Sequence, residues 1–196
     1  MTRQIMDLVL HDEQTAPEAA KNALAATRAN FGMIPNLERV MANAPPLLIG
    51  YSALWDLFDQ TSLPPVERQV VYLTANYENE CDYCVPWHSL LATKAGMGRA
   101  DLTALREGGR LADEKLGALH RFAKALIHER GKVAPRVIEE FLDAGYTERQ
   151  ALEVILGLAV KVMSNYTNSI AGTPLDEAVE KLRWTKPRVP MRSSEI

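Results

Sequence analysis

Proline and glycine divide this chain into segments with helical periodicity. Proline fits the first turn of a helix, where its missing N–H would have no partner, and glycine readily adopts the left-handed conformation after a last turn. Such prolines are Pro17, Pro35, Pro46, Pro64, Pro65, Pro135 and Pro174, and such glycines are Gly32, Gly96 and Gly131. No segment alternates like a strand, and no Asn-Gly or Asp-Gly hairpin signal occurs. The sequence therefore predicts an all-α fold with short loops.

The second half of the chain gives further helix boundaries. We expect helices over 99–107, 113–130 and 135–144, and a short last helix from Pro174. Thr147 and Gln150 have the spacing of a capping box at the start of a long apolar helix that reaches about Ile170. We expect this helix, which carries Leu152, Ile155, Leu156, Ala159 and Val160, to be central to the bundle.

Length and composition limit the class of protein. The 196 residues, 47% hydrophobic and 24% charged, suit one globular domain, which we expect over 1–182, followed by a basic, proline-containing arm over 183–196. A net charge of -3 gives no electrostatic reason to bind nucleic acid. The start lacks a secretory signal, and no apolar run approaches the roughly 20 residues of a membrane span. We expect a soluble, cytoplasmic protein.

The two cysteines lie in the segment ECDYCVPWHS, which begins at Glu80. If the segment starts a helix, Cys81, Cys84 and His88 fall within about 60° of one another on a single face. Thiols three residues apart can form a disulfide with little backbone movement. A helix N-terminus lowers the pKa of a cysteine, and a histidine one turn away can transfer protons. The spacing favours a redox site.

Other interpretations of the segment remain open. Zinc needs four ligands, or three and a water, and CxxCxxxH supplies at most three. A c-type haem site needs the histidine directly after the second cysteine, where Val85 stands. Thioredoxin-like proteins carry CxxC in a βαβ unit, for which there is no pattern here. Two unreactive cysteines packed in a core are a further alternative.

The same residues resemble a known family. ENECDYCVPWHSLLATKAG (78–96) and the preceding LPPVERQVVYLTANY are similar to the AhpD-like alkylhydroperoxidases of the carboxymuconolactone decarboxylase superfamily. FGMIPNLERVMANAPPLL (31–48) and SNYTNSIAGTPLD near the end extend the resemblance over most of the chain, especially to a branch of peroxidase-related proteins.

The resemblance implies an AhpD-like helical bundle that assembles as a homo-oligomer, often a trimer or hexamer, and reduces peroxides with thiols. By the family's motif, Cys84 corresponds to the cysteine that becomes a sulfenic acid, and Cys81 to the partner that donates a proton and then resolves it as a disulfide. His88 corresponds to the histidine of the proton relay. A sulfenic acid beside a second thiol condenses to a disulfide, which agrees with these roles.

Two positions depart from the family pattern. A glutamate commonly heads the relay twelve residues before the first cysteine, but this chain has Gln69 there, and an amide cannot act as a base. Glu78 and Glu80 lie nearer the motif, and either could take this role. Tyr83 occupies a position where some members have a second histidine. We expect weak or narrow peroxidase activity, which Gln69→Glu should raise.

The sequence thus predicts a cysteine-based peroxidase that an external dithiol or protein reductant regenerates, with no cofactor, since no flavin-binding segment is visible. A lactone decarboxylase is the enzymatic alternative, although such members generally do not rely on CxxC. The alternative from another class is a redox-sensing or metal-binding protein without turnover.

Overall fold

A computed structural model describes residues 6–187 of the chain. Within this range the chain forms nine α-helices and one short 3-10 helix and no strand, so the all-α prediction is confirmed there. The helices are α1 (Glu18–Phe31), α2 (Asn36–Met41), α3 (Pro45–Asp59), α4 (Pro65–Glu78), α5 (Cys84–Lys94), α6 (Arg99–Glu107), α7 (Glu114–His128), α8 (Pro135–Asp143) and α9 (Glu148–Ala171). The 3-10 helix is Glu177–Leu182, where an α-helix was expected.

Local sequence signals explain most of these boundaries. Pro45, Pro65 and Pro135 each occupy the first turn of their helix. Thr147 and Gln150 form the predicted capping box, with both reciprocal hydrogen bonds present. Gly32 follows α1 with a φ of 75°, a left-handed conformation that glycine adopts without a steric penalty.

Helix α4 lies at the centre of the bundle. Every residue from Val70 to Tyr77 is buried, because α4 packs against α3, α5, α6, α7 and α9. A helix enclosed on all sides needs no polar face, and its largest buried side chain, Tyr72, packs against Phe58 of α3. The cysteine helix α5 packs directly on α4, which fixes the cysteines relative to the core.

The expectation that the long helix α9 is central is only half right. Its residues Val154, Val160 and Lys161 are buried against α3 and α4, but Leu152 is 70% and Ile155 is 50% exposed. The apolar residues of α9 therefore form two faces, one in the core and one at the surface. None of the helices in residues 6–187 has the length and hydrophobicity that crossing a bilayer requires.

The described part of the predicted C-terminal arm packs on the bundle. Trp184 is buried, and its indole N–H donates to the carbonyl oxygen of Arg106 at 2.7 Å. Lys186 lies over the ring of Tyr77. The packed chain thus extends at least to these residues, beyond the expected boundary at 182. The rest of the arm, 188–196, lies outside the described residues.

Candidate functional site

The two thiols lie at the entrance to α5. Cys84 is the first residue of the helix, and Cys81 lies in the turn before it; both are free and buried. The backbone N–H of Cys84 donates to Sγ of Cys81 at 3.3 Å, and the N–H of Val85 donates to the carbonyl oxygen of Cys81 at 3.1 Å. The helical geometry thus begins at Cys81, which brings the thiols together as the spacing predicted.

An amide from a distant helix contacts both sulfurs. Nδ2 of Asn168, on α9, lies 3.2 Å from Sγ of Cys84 and 3.9 Å from Sγ of Cys81. Its neighbour Asn165 donates to Oδ1 of Asn76, whose backbone carbonyl accepts from the N–H of Cys81. Asn165 thus supports the backbone at Cys81, and both asparagines help to lower the pKa of Cys84.

The environment makes the two thiols unequal. Burial raises the pKa of Cys84, but the hydrogen bond from Cys81, the charge of Lys161 and the Asn168 amide outweigh burial and lower this pKa to about 6. Burial and the neighbouring Cys84 thiolate raise the pKa of Cys81 well above its ordinary value. At neutral pH the pair is therefore one thiolate, at Cys84, and one thiol, at Cys81.

His88 connects two side chains. Its Nδ1 lies 2.8 Å from Oε1 of Gln69, and its Nε2 lies 3.0 Å from Nζ of Lys161. A lysine ammonium can only donate, so Nε2 accepts and Nδ1 carries the proton that Gln69 accepts. Burial and the charge of Lys161 hold the pKa of His88 well below its ordinary value, so the ring is neutral.

This arrangement limits the role of His88 in proton transfer. In residues 6–187 no hydrogen bond joins His88 to either thiol, because both ring nitrogens are already bonded to Gln69 and Lys161. Any proton exchange between the ring and Cys84 must therefore pass through Lys161 or a molecule in the pocket. Nor does His88 join the cysteines in a metal-ligand set; in that part of the chain no three His, Cys, Asp or Glu side chains converge to hold a metal.

The candidate relay glutamates lie elsewhere. Glu80 follows α4 at a φ of 54° and points outward, with its side chain 66% exposed and paired with Lys186 at 3.2 Å. Glu78 pairs with Lys124 and His128 on the far side of α4. Neither lines the thiol pocket, so nearness in sequence did not predict nearness in space.

Cys84 lines a pocket that also carries several aromatic side chains. The cavity volume is about 110 Å³, which is enough for several waters or a small ring. The walls come from five helices, and the aromatic residues among them are Phe31, Tyr51, Trp55, Tyr83 and Trp87. Among the ionisable residues that line the pocket are Cys84, His88, Lys161 and Glu38. Asp56 lies at the pocket as well.

Tyr83 and Trp87 are held by one carboxylate. The hydroxyl of Tyr83 and the indole N–H of Trp87 both donate to Asp176, in the loop after α9. The Tyr83 oxygen also accepts the backbone N–H of Leu37, and Asp176 accepts that of Asn36. The residue between the cysteines therefore anchors the site, because it joins α2, α5 and the loop after α9.

Glu38 is a buried carboxyl group that the sequence interpretation missed. It is 6% exposed, and its Oε2 has no hydrogen-bond partner in residues 6–187. Burial raises its pKa to about 8, and the negative charge of Asp176 adds to this effect. An unpaired buried oxygen costs about 1–3 kcal/mol, so this group needs an explanation.

Lys161 and Asn168 were missed as well. Both lie on the buried face of α9, where Asn165, four residues after Lys161, and Asn168, seven residues after it, continue the same helical stripe. Polar residues recurring on an otherwise apolar face were the available signal. Lys161 is 1% exposed, and its counter-charge is the Cys84 thiolate.

Comparisons with known proteins agree with this fold and motif. Residues 50–114, about a third of the chain, match the carboxymuconolactone decarboxylase family, and this stretch includes Gln69, both cysteines and His88. No curated protein matches the sequence significantly.

Solved structures share the fold over nearly the whole chain. An uncharacterised peroxidase-related protein from Ralstonia eutropha JMP134, described as an alkylhydroperoxidase AhpD core, is similar with a TM-score of 0.78 and 17% identity, over 87% of this chain and 92% of that one. One from Silicibacter sp. TM1040 has a TM-score of 0.73 and 16% identity, over 91% and 95%.

The debrominase Bmp8 is similar too, with a TM-score of 0.74 and 19% identity, over 90% of this chain and 95% of that one. A cysteine-to-alanine variant of Bmp8 was solved in complex with 2,3,4-tribromopyrrole. The family match over residues 50–114 and the shared fold confirm the resemblance: this stretch is similar to the carboxymuconolactone decarboxylase family, and the chain has the AhpD-like fold.

Proposed function

We propose that this protein is a thiol-dependent peroxidase that reduces hydroperoxides with Cys84 and Cys81. The observation that carries the proposal is the inequality of the thiols: a stabilised thiolate at Cys84 faces a pocket, and a neutral thiol at Cys81 lies beside it. A nucleophile and a proton-bearing resolving partner are what two-cysteine peroxide reduction requires.

The reaction has two steps in the protein. The Cys84 thiolate attacks the terminal oxygen of the hydroperoxide, the O–O bond breaks, and the alkoxide takes a proton to leave as an alcohol. Cys81 then displaces the hydroxyl group of the Cys84 sulfenic acid, which gives water and the Cys81–Cys84 disulfide. An external dithiol or a protein reductant returns both cysteines to the reduced state and is itself oxidised. The proposal includes a cytoplasmic location, where such reductants keep thiols reduced.

The test compares wild type with Cys84→Ser and Cys81→Ser. With a dithiol and an alkyl hydroperoxide, we expect turnover by wild type and none by Cys84→Ser. After removal of the dithiol, reduced Cys81→Ser should consume about one equivalent of peroxide and retain a sulfenic acid that dimedone traps. Peroxide consumption by Cys84→Ser at the wild-type rate would refute the proposal.

A second candidate is reductive dehalogenation of a small aromatic ring. The aromatic lining of the pocket favours it, together with the fold shared with a debrominase that binds a brominated pyrrole. In this reaction the Cys84 sulfur takes the halogen, the ring carbon takes a proton, and Cys81 displaces halide to form the disulfide. Release of bromide from tribromopyrrole by reduced protein, without reaction towards peroxides, would favour this candidate.

We also propose that the protein acts as a homo-oligomer, such as a trimer or hexamer. The surface face of α9 exposes large apolar residues at helical spacing, and α3, which packs beside it, adds two more. These residues are Leu152, Ile155, Val162, Tyr166 and Ile170 on α9 and Ile49 and Leu57 on α3. Contiguous exposed apolar side chains of this kind are typical of subunit interfaces.

A further inference from the structure

The proposed peroxidase reaction needs a proton donor for the leaving oxygen, and the relay glutamate of the family pattern is absent here. The alkoxide that leaves when the O–O bond breaks is a strong base, so it must be protonated as it departs. Gln69 stands at the position of the usual relay glutamate, and the neutral ring of His88 has its one proton directed at Gln69. Cys84 is consumed as the nucleophile.

Glu38 has the placement of such a donor. It lies on α2 and lines the same pocket as Cys84, Lys161 and His88. Its carboxyl group is buried, and Oε2 has no partner among the described residues. A buried acid with a free oxygen at a pocket wall is arranged to hydrogen-bond to a ligand in that pocket.

The surroundings keep this acid protonated at neutral pH. Burial is the main cause of its raised pKa of about 8, and Lys161 opposes it only in part. The titratable and charged groups around Glu38 are Asp176, Lys161, Cys84, Tyr51 and Tyr83. The negative charges of Asp176 and of the Cys84 thiolate disfavour ionisation of Glu38.

We propose that Glu38 is the general acid of the reaction and donates its proton to the leaving oxygen of the hydroperoxide. This inference rests on the proposed function. The Cys84 thiolate, ROOH and the Glu38 acid become the Cys84 sulfenic acid, ROH and the Glu38 carboxylate. When the disulfide forms, the hydroxyl group of the sulfenic acid and the proton of the Cys81 thiol leave together as water. Reduction by a dithiol returns two protons, one to Cys81 and one to Glu38, while Cys84 leaves as the thiolate.

The test uses two oxidants with different leaving groups. tert-Butyl hydroperoxide releases a strongly basic alkoxide, whereas peracetic acid releases acetate, which departs without a proton. We expect Glu38→Gln to lower the single-turnover rate of Cys84 oxidation by tert-butyl hydroperoxide about 100-fold. The rate with peracetic acid should stay within about threefold, since general acid catalysis adds little to a good leaving group.

The pH profile gives a second measurement. With tert-butyl hydroperoxide the wild-type rate should rise through about pH 6 as the Cys84 thiolate forms and fall through about pH 8 as Glu38 loses its proton. Glu38→Gln should lose the alkaline limb and keep the acid limb. Glu67→Gln is the matched control, because Glu67 is equally buried and has an unpaired Oε2, but pairs with Lys115 away from the pocket.

The outcomes separate the two proposals. If Glu38→Gln lowers the rate equally with both oxidants, Glu38 has a structural role and the inference is overturned. An unchanged rate with tert-butyl hydroperoxide in this variant would overturn the inference too. Wild-type protein that reacts with neither oxidant, while its Cys84 thiolate is alkylated normally, would overturn the proposed function itself and the role of Glu38 with it. If Glu38→Gln slows the reaction with tert-butyl hydroperoxide but not the reaction with peracetic acid, the result supports Glu38 as the general acid.

Discussion

Removing the charge of Lys161 tests the origin of the reactive thiolate. The pKa of Cys84 lies at about 6 against an ordinary 9.0, a difference of three units, or about 4 kcal/mol in favour of the thiolate. A nearby opposite charge contributes about 1–3 of such units. Lys161→Met should therefore raise this pKa by about two units, to about 8. At pH 7 the thiolate fraction then falls from about nine-tenths to about one-tenth.

The assay is alkylation of reduced protein with iodoacetamide over a range of pH, with thiolate absorbance as a second measurement. We expect Lys161→Met to react about tenfold more slowly at pH 7 and to approach the wild-type rate above about pH 9. Lys161→Arg keeps the positive charge and should keep most of the shift. Lys124→Met is the control for loss of a lysine elsewhere, because Lys124 pairs with Glu78 away from the pocket.

An unchanged Cys84 pKa in Lys161→Met would refute this reasoning. The thiolate would then depend on the hydrogen bond from Cys81, on the Asn168 amide and on the N-terminus of α5. A fall in reactivity that persists at high pH would instead indicate a misfolded site.

Three further predictions concern the relay, the packing and the assembly. Gln69→Glu places a carboxylate against Nδ1 of His88, restores a group that can carry a proton, and should raise peroxide turnover about tenfold; unchanged turnover would count against this relay. Gly157→Ala should destabilise the fold by about 1–3 kcal/mol in urea unfolding, because its Cβ would lie 2.5 Å from the buried ring of Phe58. Ile155→Glu should shift the protein to smaller species in sedimentation velocity, because a charge in an apolar interface is costly.

Two control variants accompany these predictions. Gly50→Ala adds a methyl group at ordinary contact distance, 3.6 Å from Met163 Cε, and should be neutral or stabilising by up to about 1 kcal/mol. Equal effects of the two glycine variants would contradict the packing argument. Ile138→Glu changes an exposed isoleucine on α8 and should leave the assembly intact. If Ile155→Glu does so too, the α9 face is not the interface.

The sequence predicted the helices well because their ends are local. Proline, glycine and the Thr147 capping box act within one turn, so the boundaries of α6, α8 and α9 were found within three residues. Which face of each helix is buried was harder to predict. Whether Ile155 faces the core or the surface depends on which helices pack around α9, and helical periodicity identifies an apolar stripe without identifying its partner.

The residues of the candidate site likewise fall into a group that local sequence identifies and a group that it does not. Cys81, Cys84 and His88 belong to one helix start, and Gln69 lies on the adjacent α4, so spacing and family resemblance were enough to find them. Glu38, Lys161 and Asn168 come from α2 and α9, more than forty residues away in the chain. Their convergence on the thiols is a result of tertiary packing, which no local pattern encodes.

The anchoring of Tyr83 by Asp176 has a consequence for protein synthesis. On the ribosome the cysteine segment emerges long before Lys161, Asn168 and Asp176, all of which belong to the last quarter of the chain. Until α9 and its following loop dock, the thiols lack the ammonium, the amide and the anchored turn, and the Cys84 thiol has an ordinary pKa. The thiolate at Cys84 therefore depends on the packing of α9 and its following loop, and a chain in which they have not docked carries a less reactive thiol.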